Sequence, residues 1–112
     1  MNAKELIERF EALVDRHAMA AARVFAAASV DEAVEGAVDT LEIIEEMMDV
    51  LEKLERANMH DPELSARFFY SLFRFMRAEG DLIAQLEELF AQKLADLFDA
   101  PVSVALDEGH LT

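Results

Sequence analysis

The sequence predicts an all-α protein, an antiparallel bundle of three to four helices in one domain. Apolar residues recur at steps of three and four along most of the 112 residues, which is the spacing of one helix face. Two prolines and three glycines are too few for the many turns of an all-β chain. Capping sequences precede the apolar-periodic segments, as they do at helix N-termini.

The first helix is predicted over about residues 3–28. Asn2 and Glu5 form a capping-box pattern, in which the first side chain accepts a hydrogen bond from the third helical amide. We expect His17 to be a hydrogen-bonded core histidine, because it falls within a heptad seam of apolar residues. This first seam comprises Leu6, Phe10, Leu13, His17, Ala20 and Val24.

The second helix is predicted over about residues 30–57, after a corner at Ala28–Ser29. Ser29 and Glu32 repeat the capping-box pattern. The alternative is one uninterrupted helix from Ala3 to Ala57, because the apolar register nearly continues. We expect Gly36 to permit close helix packing. A second heptad seam is expected to form the buried face of this helix: Val30, Val34, Ala37, Leu41, Ile44, Met48 and Leu51.

Asp61 and Pro62 predict the start of a third helix, over about residues 62–79, with proline at its first position. Gly80 then suggests a C-cap for this helix, and Asp81 an N-cap for a fourth helix over 82–98. A kinked continuous helix over 62–98 is the alternative. The domain is expected to span residues 1–100, and the tail 101–112 to be extended or partly ordered, since residues 102–106 alternate like a strand.

The amount of apolar surface predicts a homodimer or higher oligomer. Two helices carry long seams, the third is apolar around much of its circumference, and the tail has a strand-like pattern with no partner. One short bundle cannot hide all of this surface.

Charge limits the possible partners. The chain has 24 acidic and 10 basic side chains and a net charge of −14. Direct binding to nucleic acid or to an anionic membrane needs a basic surface, so neither is expected. A basic protein surface remains a candidate partner. The N-terminus has no apolar core of a signal peptide, and the expected location is the cytoplasm.

Two polar faces are candidate interaction sites. Nine acids and no Lys or Arg lie between Asp31 and Glu52. The first candidate face is an acidic stripe on the second helix, Glu35, Asp39, Glu42, Glu46 and Asp49. The second is a basic face on the third helix, Arg67, Tyr70, Arg74 and Arg77.

The stripe has two interpretations besides a solvated face. If helices 2 and 3 form an antiparallel hairpin, Arg74 and Arg77 come level with Glu42 to Glu46 and neutralise them. The acids from Asp31 to Asp39 would then have no cationic partner in the chain. Alternatively, carboxylates one turn apart imitate the phosphates of a nucleic acid.

No catalytic or cofactor-binding pattern is present. The chain has no cysteine, no His-x-x-x-His pair and no Glu-x-x-His pair of the kind that di-iron bundles use. It has no glycine-rich phosphate loop and no serine in a nucleophile elbow. We therefore expect no enzyme, no cofactor and no metal site.

These observations predict a non-enzymatic acidic interaction module, such as an adaptor, an assembly factor or a small chaperone. One alternative is an acidic, nucleic-acid-mimicking inhibitor of a DNA- or RNA-binding protein, of the phage or antitoxin type. Another is a helical-bundle sensor for a hydrophobic ligand or metal, with the phenylalanines of helix 3 lining a pocket.

Overall fold

The computed structural model describes residues 1–57 and 59–98, and this part of the chain is all-helical. The helices are α1 (Ala3–Phe25), α2 (Val30–Arg56) and α3 (Pro62–Phe98). The predicted all-α bundle is confirmed. The strand-like residues 102–106 of the tail lie outside the described residues.

The three helix starts follow the predicted caps. The Oδ1 atom of Asn2 accepts from the amide of Glu5 at 2.8 Å, and the Oγ atom of Ser29 accepts from the amide of Glu32 at 3.2 Å. The Glu32 carboxylate also accepts from the amide of Ala28 at 2.9 Å. The Oδ1 atom of Asp61 accepts from the amide of Glu63 at 2.9 Å. These bonds satisfy amides that lack an intrahelical partner.

The predicted corner between α1 and α2 is confirmed, whereas the predicted break in α3 is wrong. α1 ends at Phe25 and α2 begins at Val30. α3 instead continues through Gly80 and Asp81, so the continuous alternative for 62–98 is the correct one. A glycine costs a helix only about 0.5–1 kcal/mol, and Leu82 and Leu86 pack against the core just after it.

α1 is the central helix of the bundle. It packs against both α2 and α3, which scarcely contact each other. The predicted seam of α1 is buried throughout, together with its neighbours Ile7, Val14 and Ala21. Phe10 is a fully buried member of the larger cluster and contacts the ring of Phe68 at a centroid distance of 5.2 Å. Burying such a side chain contributes about 1.5–3 kcal/mol.

The predicted buried face of α2 is wrong. Leu41 is 60% exposed and Met48 is 61% exposed. The face that meets α1 is rotated by about 100° from the predicted seam. Its buried residues are Ala33, Gly36, Thr40, Ile43, Met47, Val50 and Leu54.

Small residues explain why this face of α2 is the one that packs. A methyl group added at Gly36 would lie 2.8 Å from the Cγ2 atom of Val24 and 3.4 Å from the carbonyl oxygen of Ala20. The predicted role of Gly36 in close packing is therefore confirmed. Thr40 is tolerated in this face because its hydroxyl donates to the carbonyl of Ala37 at 2.6 Å.

Candidate interaction surface

Arginines at seven-residue intervals on α1 bind the acidic stripe of α2. Arg23 lies 2.7 Å from Asp39. Arg16 lies 3.0 Å from the carboxylate of Glu46, and Arg9 lies 3.9 Å from the same group. A seven-residue interval returns to nearly the same helix face, so these ion pairs follow one edge of the α1–α2 interface.

The basic face of α3 is bound by acids of α1. Arg67 makes two hydrogen bonds to the carboxylate of Glu11, at 2.6 and 3.2 Å. Arg74 donates to Asp15 at 2.6 Å. The hydrogen bonds with Glu11 and Asp15 raise the pKa of Arg67 and of Arg74 above their ordinary values. Both arginines therefore join α3 to α1 along a polar edge of the contact.

The hypothesis that Arg74 and Arg77 neutralise the acidic stripe is wrong. Arg74 binds Asp15 of α1, and Arg77 has no ion pair among the described residues. The hairpin argument failed because it ignored α1, which supplies the cations for α2 and the anions for α3. Asp39 was expected to have no cationic partner within the chain, but it forms an ion pair with Arg23.

The other candidate residues stay at the surface. Within residues 1–57 and 59–98, Asp49 pairs only with Lys53 on its own helix, at 3.0 Å, and Tyr70 is exposed. Glu35 and Glu42 are exposed and have no ion pair within the described part of the chain. The sequence-predicted residues therefore do not form one site.

An open groove of about 600 Å³ lies between α1 and α2. Glu42 borders it, beside Arg16, Arg23, Asp39 and Glu46. Because the last four residues are engaged in ion pairs with one another, the groove is a salt-bridged edge of the interface and offers little free charge to a ligand.

His17 is the buried polar residue at the α1–α3 contact. Its side chain is fully buried, and its Nε2 atom lies 2.6 Å from a carboxylate oxygen of Glu79. The ring packs edge-on against Phe75 at 4.7 Å. The Nδ1 atom has no hydrogen-bond partner among the described residues. The predicted role of His17 as a hydrogen-bonded core residue is confirmed.

Neither a metal-binding cluster nor a membrane-spanning helix occurs in the part of the chain that the structure describes. Over residues 1–57 and 59–98, no three His, Asp or Glu side chains are grouped so that they could hold a metal ion. None of the three helices is long and apolar enough to cross a membrane.

The apolar seam of α2 that was predicted to be buried is instead exposed or half-buried. We call it the α2 seam: Val30, Val34, Ala37, Leu41, Ile44, Met48 and Leu51. Its steps alternate strictly between four and three over seven positions, as in a coiled coil. Ala37, Ile44 and Leu51 are half-buried, and the other four members are exposed.

A second exposed seam follows α3, and it was not among the predicted features. We call it the α3 seam: Phe69, Phe73, Met76, Gly80, Ile83, Glu87, Phe90, Leu94 and Leu97. Its steps also alternate between four and three. Phe73 is 66% exposed and Phe90 is 67% exposed. The heptad spacing could have revealed this seam, but the predicted break at Gly80 divided it.

Each seam lies on the side of its helix opposite the residues that form ion pairs with α1. At 100° per residue, the α2 seam is roughly 170° around the helix from Asp39 and Glu46, which bind α1. The α3 seam is likewise roughly 170° from Arg67 and Arg74. We call the surface formed by the two seams the α2–α3 face.

The α2–α3 face is large for an exposed apolar surface. Eleven of its side chains are among the exposed large apolar residues. Taking roughly 100 Å² for each, as expected for half-exposed large side chains, the two seams together present on the order of 1,000 Å². The largest apolar patch of a typical monomer measures about 300–600 Å². The two seams together therefore expose more apolar surface than the largest patch of a typical monomer.

Comparison of the chain with protein-family models, with curated proteins and with solved structures finds no match.

Proposed function

We propose that the protein is a non-enzymatic helical interaction module, and that the α2–α3 face is where it binds its partner. The observation that carries this proposal is the pair of exposed heptad seams, each opposite the residues of its helix that form ion pairs with α1. Leu41, Phe73 and Phe90 are all at least 60% exposed, although burial of each would contribute about 1.5–3 kcal/mol. Heptad seams are complementary to other helices, so the partner surface is helical.

The internal ion pairs support this function over nucleic-acid mimicry. A mimic requires carboxylates that are free to bind a basic protein, but α1 arginines already bind Asp39 and Glu46. The carboxylate of Asp49 is bound within its own helix. The acids that form no ion pair among the described residues, such as Glu35 and Glu42, point away from the α2–α3 face and serve solubility.

Methionine oxidation tests the proposed function without knowledge of the partner. Met48 and Met76 lie in the two seams and are 61% and 56% exposed. Met19 is 71% exposed on α1, away from both seams, and is the internal control. Peroxide converts accessible methionine to its sulfoxide, and mass spectrometry measures the rate for each residue.

In the cells that produce the protein, we expect Met48 and Met76 to oxidise several-fold more slowly than Met19, because a bound helix shields them. Equal rates for the three residues would contradict the proposed function. Treatment of the same protein after denaturation provides the intrinsic rate of each residue.

A further inference from the structure

We propose that the occupant of the α2–α3 face is a second copy of this chain, bound through a two-fold axis that crosses α3 near Ile83. The proposal rests on the proposed function, since it names the partner for the same face. Four features of the surface lead to it: its area, the symmetry of the α3 seam, the length of α3 and the placement of the acidic side chains.

The area of the face fits a self-associating surface. A stable interface of standard size buries about 800 Å² on each partner, and the exposed seams present on the order of 1,000 Å². In a two-fold dimer the same surface is used on both copies. No additional surface is then needed to cover the seams.

The α3 seam is symmetric about Ile83. Two antiparallel copies of the seam overlap completely only if its midpoint, Ile83, lies on the axis. The two positions without an apolar side chain, Gly80 and Glu87, then come level with each other. The carboxylate of Glu87 therefore meets the space that Gly80 leaves open. A polar residue in a seam fixes the register of the pair.

The length of α3 gives a second reason for an antiparallel pair. Contacts between α1 and α3 join residues 56 to 62 positions apart, from Glu11–Arg67 to His17–Glu79. By this offset Phe25, the end of α1, is level with about Glu87, and the seam residues after Glu87 extend past the α1–α2 corner. In the antiparallel pair, Leu94 and Leu97 of one copy lie level with Phe73 and Phe69 of the other.

The acidic side chains do not oppose this pairing. The acidic stripe of α2 is roughly 150° around the helix from the α2 seam. Two copies that meet through their α2–α3 faces therefore carry their stripes on the outer sides of the dimer. Glu87 is the one charged member of the two seams.

Single cysteines test this arrangement, because the chain has none of its own. Ile83→Cys places a thiol at the axis, where seam Cα atoms come within the 4.4–6.8 Å that a disulfide requires. Glu88→Cys is the matched control, an exposed α3 position roughly 120° around the helix from the α3 seam. Both full-length variants are oxidised at micromolar concentration, and the mass of the unmodified chain is measured by light scattering.

We expect a mass twice the 12.6 kDa of one chain. Ile83→Cys should cross-link about a hundredfold or more faster than Glu88→Cys, because the dimer holds its two thiols at a millimolar effective concentration. Equal rates in a dimer, or cross-linking by neither variant, would overturn the two-fold axis at Ile83.

A monomeric mass would overturn the proposal that a second copy occupies the face. Methionine oxidation of the purified chain, compared with oxidation in cells, then shows what covers the face instead. If Met48 and Met76 are shielded only in cells, another protein occupies the face and the proposed function stands. If they are shielded in the purified monomer, residues of the same chain cover the face. If they are exposed in both preparations, the proposed function fails as well.

Discussion

Gly36 shows how one residue sets the distance between two helices. Its missing side chain lets α2 approach the alanine-rich end of α1, where Val24 and the carbonyl of Ala20 leave no room for a methyl group. Val24 is β-branched, so its Cγ2 atom cannot move away by rotating a long side chain. Gly80, the second helical glycine, has no atom of the described residues within 4 Å of its added methyl position.

These surroundings predict opposite effects for the same substitution. Gly36→Ala should lower the free energy of unfolding by about 1–2 kcal/mol, because the strain of overpacking outweighs the gain in helix propensity. Gly80→Ala should raise it by about 0.5–1 kcal/mol. Urea unfolding followed by circular dichroism measures both. A stabilising Gly36→Ala would show that Val24 and Ala20 leave room for a methyl group at this position.

At the scale of the helix, α2 carries two apolar stripes, and periodicity alone could not decide which one meets α1. The buried stripe contains Ala33, Gly36 and Thr40, which look weakly hydrophobic, whereas the exposed seam contains valines and leucine. Small residues are favoured in a helix–helix contact where the two backbones approach closely, because larger side chains would hold the helices apart. The arginines at seven-residue intervals on α1 were the signal that could have identified the correct stripe.

Other elements were predictable because their signals are local. The capping residues Asn2, Ser29 and Asp61 correctly predicted where the helices begin. The heptad seam of α1 correctly predicted its buried residues, because two neighbouring helices bury this helix. The ion pairs were not predictable from hairpin geometry, since Arg74 finds its partner on α1. The break assigned to Gly80 also concealed the α3 seam.

The two stripes of α2 predict different consequences for adjacent methionines. Met47→Ala should lower the free energy of unfolding by about 2–5 kcal/mol at any protein concentration, because Met47 is buried against α1. Met48→Ala, on the exposed seam, should lower stability only where the chain associates. Unfolding curves at a low and a high protein concentration separate the two effects. A concentration-independent loss for Met48→Ala as large as that for Met47→Ala would contradict the assignment of the faces.

For the whole molecule, the net charge and the apolar face act in opposite directions on association. Each copy carries a net charge of −14, so two copies repel each other, while the seams favour contact. Salt screens the repulsion, with a Debye length of about 10 Å at 0.1 M and about 3 Å at 1 M. Binding through the acidic stripe to a basic protein would respond to salt in the opposite way.

Self-association should therefore tighten, or stay unchanged, between 0.05 and 0.5 M salt, values chosen to span about a threefold range of Debye length. Sedimentation at several protein concentrations measures the dissociation constant at each salt concentration. Association that weakens steeply with salt would indicate that charge, and not the apolar seams, holds the copies together.

The most direct test of the central claim is the mass of the full-length chain in solution, compared with that of Phe90→Glu. Phe90 is 67% exposed in the α3 seam, so the substitution should leave the helices intact by circular dichroism and place a charge in the interface. At micromolar concentration, light scattering should give twice the 12.6 kDa of one chain for the natural sequence and a single chain for Phe90→Glu. A monomeric natural sequence, or a dimer that Phe90→Glu leaves unchanged, would contradict the account.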